Sequence, residues 1–144
     1  MNLKIRITSE SGMLPEYETE GSSGMDLKAF LADSIRLEPG KRALIPTGIS
    51  IELPQGYEAQ IRARSGISIK HGIGLVNGIG TIDSDYRGEI KVPLINLGDE
   101  SFIINNGDRI AQMIIASYES VKWNMVDRLT ESPRGEGGFG HTGI

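Results

Sequence analysis

Four segments of the chain carry residue types that could bind or cleave a phosphorylated ligand, and the first is Arg64-Ser65-Gly66. An arginine fork can hold two phosphate oxygens at once, Ser65 adds a hydroxyl donor, and Gly66 lets an anion approach the backbone. If a helix begins here, its free N–H groups also favour an anion. The alternative is the end of a surface strand, with Ser65 as an N-cap.

The second segment, residues 77–88, has the composition of a hairpin with a polar tip. Asn77-Gly78 favours a tight turn, and aspartate and serine are common turn residues, so a purely structural hairpin is one interpretation. The functional interpretation uses the glycines, which leave backbone groups open to a planar ligand. Asp83 ends an apolar stretch, where partial desolvation would suit a general base. Tyr86 could stack under a ring.

The third segment, residues 107–112, places Arg109 and Gln112 at the start of an otherwise apolar strand. A charge and an amide that enter a core need partners. An Asp108–Arg109 pair within the turn is the interpretation that assigns the segment no function.

The fourth segment, residues 134–143, is a glycine-rich string with one arginine and one aromatic side chain. It is neither a Walker A loop nor a Rossmann fingerprint. It could be a disordered tail, a weak RNA-binding element, or a lid that stacks Phe139 on a base and places Arg134 against phosphates. Because residues 130–144 have little to bury, we expect a flexible arm there, after a single domain over residues 1–129.

Candidate metal ligands are scarce. Asp26, beside a predicted strand, could hold a hydrated Mg²⁺ near phosphates, although as a turn residue it needs no function. The two histidines, His71 and His141, have no partner at metal-ligand spacing, so we expect no protein zinc site. The absence of cysteine excludes thiol catalysis, Cys-ligated zinc and iron–sulfur clusters.

The elements that must position these residues are predicted to be strands. The chain has 20 isoleucines and 4 valines against 7 alanines, with 19 glycines and 6 prolines, which is typical of an all-β sandwich or barrel. One short helix is predicted at 66–71, capped by Ser65 and ended by Gly72. The predicted strands cover residues 2–8, 43–53 with a break at Pro46, 57–63, 73–82, 89–97, 102–104 and 109–118, and residues 25–30 are predicted to form a short strand or a turn.

Two further features of the pattern bear on packing. Residues 10–24 are polar and are predicted to form a loop. Residues 111–116 are apolar almost throughout, which predicts a strand buried on both faces.

Length and charge narrow the classes of function. A chain of 144 residues is one domain. Its net charge of −4 provides no general field for a nucleic-acid backbone. No apolar run approaches the roughly 18 residues of a membrane helix, and the N-terminus lacks the pattern of a signal peptide. We expect a cytoplasmic protein with no membrane or nucleic-acid partner.

Taken together, the order and spacing of five segments resemble the homotrimeric dUTPase family over nearly the whole chain. The segments are Gly24-Met25-Asp26-Leu27, Arg64-Ser65-Gly66, Asn77 to Gly88, Gly107 to Gln112, and Arg134 to Gly143. The resemblance implies a β jelly roll that assembles as a threefold trimer. Each active site would take residues 24–27, 64–66 and 107–112 from one subunit, the hairpin from another and the arm from a third.

The resemblance also implies the reaction. Family members hydrolyse dUTP to dUMP and pyrophosphate, with Mg²⁺ held chiefly by the triphosphate. Asp83 matches the carboxylate that activates water for attack at the α-phosphorus, and Tyr86 the aromatic ring under the deoxyribose. The uracil-reading hairpin corresponds to Asn77 and the backbone around Gly80, Thr81 and Ile82. Lys91 falls at a substrate-contact position that varies in the family.

The remaining matches concern phosphates and closure. Phosphate contacts correspond to Arg64, Ser65, Gly66 and Gln112, and Asp26 to the acid that touches Mg²⁺ through water. In the arm, Arg134 matches the γ-phosphate clamp and Phe139 the cover over uracil, followed by Gly140, His141 and Thr142. The family often has serine where this chain has His141. Histidine can still donate to phosphate, more strongly when protonated.

Two alternatives remain at this point. A dCTP deaminase-like enzyme would share the jelly roll and parts of the segments 64–66 and 77–88, but such enzymes typically lack this complete hairpin and the arm. A non-catalytic dUTP-binding protein on the same fold would be expected to have lost Asp83 or the arm.

Overall fold

The computed structural model describes residues 2–143, which form twelve strands and one helix. The elements are β1 (Arg6–Ser9), β2 (Glu16–Tyr17), β3 (Met25–Lys28), β4 (Ile35–Leu37), β5 (Arg42–Pro46), β6 (Ile49–Glu52), β7 (Tyr57–Arg62), α1 (Ser65–His71), β8 (Ile73–Leu75), β9 (Gly80–Ile82), β10 (Lys91–Asn96), β11 (Phe102–Ile104) and β12 (Arg109–Ser117).

The strands form four open antiparallel sheets. The largest has the order β2-β3-β12-β7-β9, and a second has the order β5-β10-β8. The pairs β1-β6 and β11-β4 make up the other two. No sheet of residues 2–143 closes into a barrel, but the predicted all-β fold with one short helix is confirmed.

Branched aliphatic side chains from all four sheets form one core. The largest fully buried ones are Leu27, Ile45, Ile73, Ile90, Leu94, Ile104, Ile110 and Val92. Asn96 is also fully buried, and its amide donates to the carbonyls of Leu37 (2.9 Å) and Glu100 (2.8 Å) and accepts from the Gly98 N–H (2.9 Å). These three bonds satisfy a polar group whose burial would otherwise cost free energy.

The predicted strand over 73–82 is wrong, because the chain turns in its middle. Gly78 has a φ of 72°, and its N–H donates to Leu75. This turn separates β8, which pairs with β10, from β9, which pairs with β7 in a different sheet. The predicted break at Pro46 is confirmed, since β5 and β6 also lie in different sheets.

The predicted polar loop over 10–24 is wrong in part, because its middle forms the short strand β2. The predicted N-cap is also wrong: Arg64 is the N-cap residue, without a side-chain cap bond, and Ser65 is the first residue of α1. Gly72 ends α1 as predicted, with a φ of 70°.

Burial differs from the prediction in the first and in the last strand. The predicted strand over 2–8 is half right, since β1 begins at Arg6, and its one apolar side chain, Ile7, is 37% exposed. The prediction that 111–116 is buried on both faces is wrong, because only Ala111 and Met113 are buried there and the other four residues are half-buried.

From Tyr118 onward the described chain forms neither strand nor helix. Its large apolar side chains lie in water, with Trp123 94% and Leu129 84% exposed. No helix among residues 2–143 has both the length and the apolar composition needed to cross a membrane.

Candidate active site

A polar cavity of about 400 Å³ collects three of the predicted segments, and we call it the phosphate cavity. The sheet order β3-β12-β7 brings these segments together, because Gln112 on β12 lies opposite both Asp26 on β3 and Arg62 on β7. Arg64 follows β7 directly. The lining residues are Glu18, Gly21, Ser22, Ser23, Gly24, Asp26, Arg64, Ser65, Gly66 and Gln112.

Asp26 holds two arginines at this cavity. Its Oδ1 accepts from Arg64 Nε (3.0 Å) and its Oδ2 from Arg109 Nη1 (3.4 Å). The Asp26 side chain is 12% exposed, and that of Arg64 is 25% exposed. Such partly buried, charge-assisted contacts restrict the arginine before any ligand arrives.

Arg109 does not pair with Asp108, so the interpretation of an ion pair within the turn is wrong. Its Nη1 donates to Glu18 Oε1 (2.8 Å), while Asp108 Oδ2 accepts from the Asn105 N–H (2.8 Å). The reason is that β12 runs beside β3, which places Arg109 toward the loop after β2 instead of back over its own turn.

Small residues leave room for polar groups in the phosphate cavity. A methyl group at Gly24 would lie 2.5 Å from Gln112 Oε1. With glycine there, Gln112 can donate from Nε2 to the Ala63 carbonyl (3.0 Å). Gly66 has open space around it, so an anion could reach its backbone.

A second cavity of about 410 Å³ lies at the hairpin segment, and we call it the hairpin cavity. It is lined by Leu44, Thr81, Ile82, Asp83, Tyr86, Glu89 and Lys91. The Tyr86 hydroxyl donates to the Glu89 carbonyl (2.9 Å). A side chain at position 88 would collide with the Tyr86 ring and hydroxyl, so it would fit only if the ring moved. The ring position of Tyr86 is therefore fixed by its own turn.

Asp83 is exposed in this chain, so the expected partial desolvation is wrong for the isolated chain. It follows β9, which is an edge strand of the largest sheet with no element beyond it. Asn77 and Gly80 line neither cavity. The Asn77 amide instead lies over the backbone of the buried Gly80.

The arm residues stay apart from both cavities. Arg134 Nε donates to the Gly137 carbonyl (2.7 Å), and the His141 ring packs against Gly137. Phe139 is fully exposed. Local turns, such as the bond from the His141 N–H to Gly138 (3.2 Å), hold this segment. The arm residues Gly140 and Thr142 also line neither cavity.

Comparison with known proteins identifies the family. The sequence profile described as dUTPase matches residues 10–143. The chain belongs to the dUTPase family. Two relatives named Deoxyuridine 5'-triphosphate nucleotidohydrolase support this. One, from Finegoldia magna, is 57% identical over 142 residues, covering 98% of this chain and 99% of the relative. The other, from Rickettsia prowazekii, is 62% identical over 133 residues, covering 92% and 90%.

A solved dUTPase shares the fold. The structure of the Staphylococcus bacteriophage 80alpha dUTPase with dUPNHPP superposes with a TM-score of 0.90 at 25% identity, covering 99% of this chain and 100% of that one. The predictions of family and of a jelly-roll-like fold are thus confirmed.

Sequence reasoning for this dUTPase-family chain missed several cavity residues. Glu18 and Glu89 carried no motif signal, and one oxygen of Glu89, Oε2, is buried without a hydrogen-bond partner among the described residues. Ser22 and Ser23 also line the phosphate cavity. These two serines immediately precede Gly24 in the sequence. Their position beside the segment Gly24-Met25-Asp26-Leu27 is the signal that could have found them.

The acidic residues of this dUTPase-family chain suit a metal ion that a bound ligand, and not the protein, mainly coordinates. Residues 2–143 contain no group of three or more His, Asp or Glu side chains that could hold an ion by themselves. The phosphate cavity offers Asp26, whose carboxylate already has two arginine partners. Contact to an ion through water suits such a carboxylate better than direct ligation.

Proposed function

We propose that the chain hydrolyses dUTP to dUMP and pyrophosphate by Mg²⁺-assisted attack of water at the α-phosphorus. The reaction keeps uracil out of DNA and supplies dUMP for dTTP synthesis. The observation that carries the proposal is the convergence of Asp26, Arg64, Ser65, Gly66 and Gln112 on one polar cavity in a chain of the dUTPase family.

The phosphate cavity would bind and orient the triphosphate. Asp26 restrains Arg64, so less side-chain freedom is lost on binding. Ser65 and Gln112 supply neutral donors, and Gly66 leaves its backbone open. Positioning of this kind, together with charge stabilisation, supplies most of the catalysis in phosphoryl transfer.

Asp83 would act as the general base. As the water oxygen forms its bond to the α-phosphorus, its proton passes to the Asp83 carboxylate. The bond from the α-phosphorus to the bridging oxygen breaks, and pyrophosphate leaves with the electron pair. General-base help of this kind supplies about 10²–10⁴ in rate.

The hairpin would select base and sugar. The Tyr86 ring, anchored by its bond to Glu89, would lie under the deoxyribose and leave no room for a 2′-hydroxyl. Asn77 and the backbone of Gly80, Thr81 and Ile82 would read uracil. A mispaired buried polar group costs about 1–3 kcal/mol, which rejects cytosine. Lys91 lines the same cavity and would contact the substrate.

Mg²⁺ would be held mainly by the triphosphate, with Asp26 touching it through water. When bound, the ion neutralises charge on the phosphates and supports their orientation.

A homotrimer would complete each site. The two cavities share no lining residue, which supports a site built from different copies. The arm, residues 130–144, would follow the jelly-roll domain of residues 1–129 and reach the site of a neighbouring copy. There Arg134 would clamp the γ-phosphate, Phe139 would cover uracil, and Gly140, His141 and Thr142 would complete the contacts. We also propose a cytoplasmic location, which a chain without cysteine fits.

The first test is pyrophosphate release with Mg²⁺ from dUTP, dTTP, dCTP and UTP. Release from dUTP alone is expected. No release from dUTP would contradict the proposal, and ammonia release from dCTP would then favour a deaminase. Tight dUTP binding with slow hydrolysis would favour a binding protein.

A further inference from the structure

Glu18 lies at the edge of the phosphate cavity, directly after β2. Its Oε1 is 2.8 Å from Arg109 Nη1, the same nitrogen that lies 3.4 Å from Asp26 Oδ2. Arg109 is therefore shared between two carboxylates, and Glu18 is the nearer of them.

The ion pair has little importance for folding. Side chains of Arg109 and Glu18 are 45% and 62% exposed, and pairs at such exposure add little stability. The loop after β2 is held by other hydrogen bonds. The Thr19 and Ser22 hydroxyls lie 2.9 Å apart, and the Ser22 N–H donates to the Thr19 carbonyl. Neither contact involves the Glu18 side chain.

The pair does change the charge that a ligand meets. Arg64 and Arg109 carry two positive charges, which Asp26 and Glu18 cancel. The cluster beside the phosphate cavity is thus neutral, although the cavity would receive a polyanion. Without Glu18 the same cluster would carry one positive charge and Arg109 would keep a single carboxylate partner.

We propose that Glu18 is a positioning residue that occupies Arg109 and weakens the hold of the phosphate cavity on pyrophosphate, the leaving group. This inference rests on the proposed function of the cavity. Its effect is to favour product release, a step that limits turnover in many enzymes. The negative charge of Glu18 repels pyrophosphate, and its ion pair with Arg109 keeps that arginine from binding pyrophosphate.

The test compares Glu18→Gln with Glu20→Gln in the full chain. Both remove one negative charge from the same loop, but Glu20 is exposed and takes part in none of the ion pairs described for residues 2–143. The probe is inorganic pyrophosphate with Mg²⁺, titrated by calorimetry, with thermal unfolding as a check on the fold.

We expect Glu18→Gln to bind pyrophosphate about 3–10-fold more tightly than the wild type, and the gain to shrink in high salt. The inhibition constant of pyrophosphate should fall by the same factor, while Glu20→Gln should stay within twofold of wild type. Equal affinities in the two variants would overturn the inference alone. Failure of the wild type to bind pyrophosphate would overturn the proposed cavity function together with it. If Glu18→Gln does not fold, the same comparison is made with Glu18→Ser.

Discussion

At the scale of single residues, the charged groups of the phosphate cavity restrain one another before substrate arrives. Asp26 orients Arg64, and Gln112 is held by a carbonyl. Asp83 lacks such restraint and stands exposed beyond an edge strand. Water is excluded from a general base in that position only when other groups cover it. Binding residues and the general base are therefore different residues of this chain, and substitutions can test them separately.

Asp83→Asn should therefore retain nucleotide binding and lose most turnover. We expect the rate of pyrophosphate release to fall by about 10²–10⁴, because the amide cannot accept the proton from water. The affinity for a non-hydrolysable dUTP analogue, measured by calorimetry, should change little. Asp85→Asn, in the same turn but outside the hairpin cavity, is the matched control. Unchanged turnover in Asp83→Asn would remove this residue from the mechanism.

Gly88→Ala should weaken sugar selection. A methyl group at position 88 collides with the Tyr86 ring and hydroxyl, so the ring must move and its bond to Glu89 must break. We expect the ratio of kcat/KM for dUTP over UTP to fall by about tenfold, since roughly 1–3 kcal/mol of discrimination depends on that contact. An unchanged ratio would show that Tyr86 does not exclude the 2′-hydroxyl.

The sequence predicted the central residues of the phosphate cavity because they belong to contiguous motifs. It did not predict Glu18, since that contact joins residues separated by 91 positions. Such a pairing depends on β2, β3 and β12 being neighbours in one sheet. Sheet neighbours far apart in the chain leave no local pattern, so the only partner for Arg109 that the local sequence indicates is the adjacent Asp108.

At the scale of elements, strands with alternating burial were predictable and short or interrupted ones were not. The segment predicted over 57–63 agrees to within one residue with β7, along which buried and less buried residues alternate. The two-residue strand β2 is too short to show a period. The break between β8 and β9 was missed although Asn77-Gly78 marked a turn, because the apolar run on either side suggested one strand.

Gly72→Ala should destabilise the chain more than Gly40→Ala. Both glycines have positive φ, 70° and 77°, so alanine strains the backbone at each, by about 1–2 kcal/mol. Gly72 also packs directly against the backbone of Gly98, whereas Gly40 has open space. We expect a further loss of about 1–3 kcal/mol in the free energy of unfolding for Gly72→Ala, measured in urea. Equal losses of unfolding free energy in the two variants would mean that the backbone at Gly98 can move away from a methyl group at position 72.

Deleting residues 134–144 should cripple hydrolysis and leave the fold and assembly intact. In residues 134–143, the hydrogen bonds stay within the segment and its immediate neighbours, so no packed element is lost. We expect steady-state turnover to fall at least tenfold, since an arm that closes a site excludes water and completes contacts. A monomer by light scattering after the deletion would instead make the segment structural.

At the scale of the whole molecule, the two cavities have separate linings, which raises the question of how many chains one working site needs. Asp83 lines one cavity and Arg64 the other. If each site combines them from different copies, two defective chains can repair one another within a mixed oligomer.

Asp83→Asn and Arg64→Ala should each be nearly inactive alone and recover activity after unfolding and refolding together. If the protein is the proposed trimer, a mixed assembly would contain sites where Arg64 comes from the first variant and Asp83 from the second. We expect a substantial fraction of wild-type pyrophosphate release, on the order of a tenth or more. The control mixes Asp83→Asn with Asp83→Ala. These two variants cannot complement each other, because neither supplies Asp83. No recovery in a confirmed mixed trimer would place both residues in one chain's site.

The exposed segment after β12 has a spectroscopic consequence. Trp123 is the chain's single tryptophan and is 94% exposed. The indole emission of the whole protein therefore comes from one position, and in the isolated chain it should resemble that of indole in water. Any second copy that covers this segment would shift the emission toward the blue. Dilution followed by fluorescence would then reveal dissociation without a label, from the natural sequence alone.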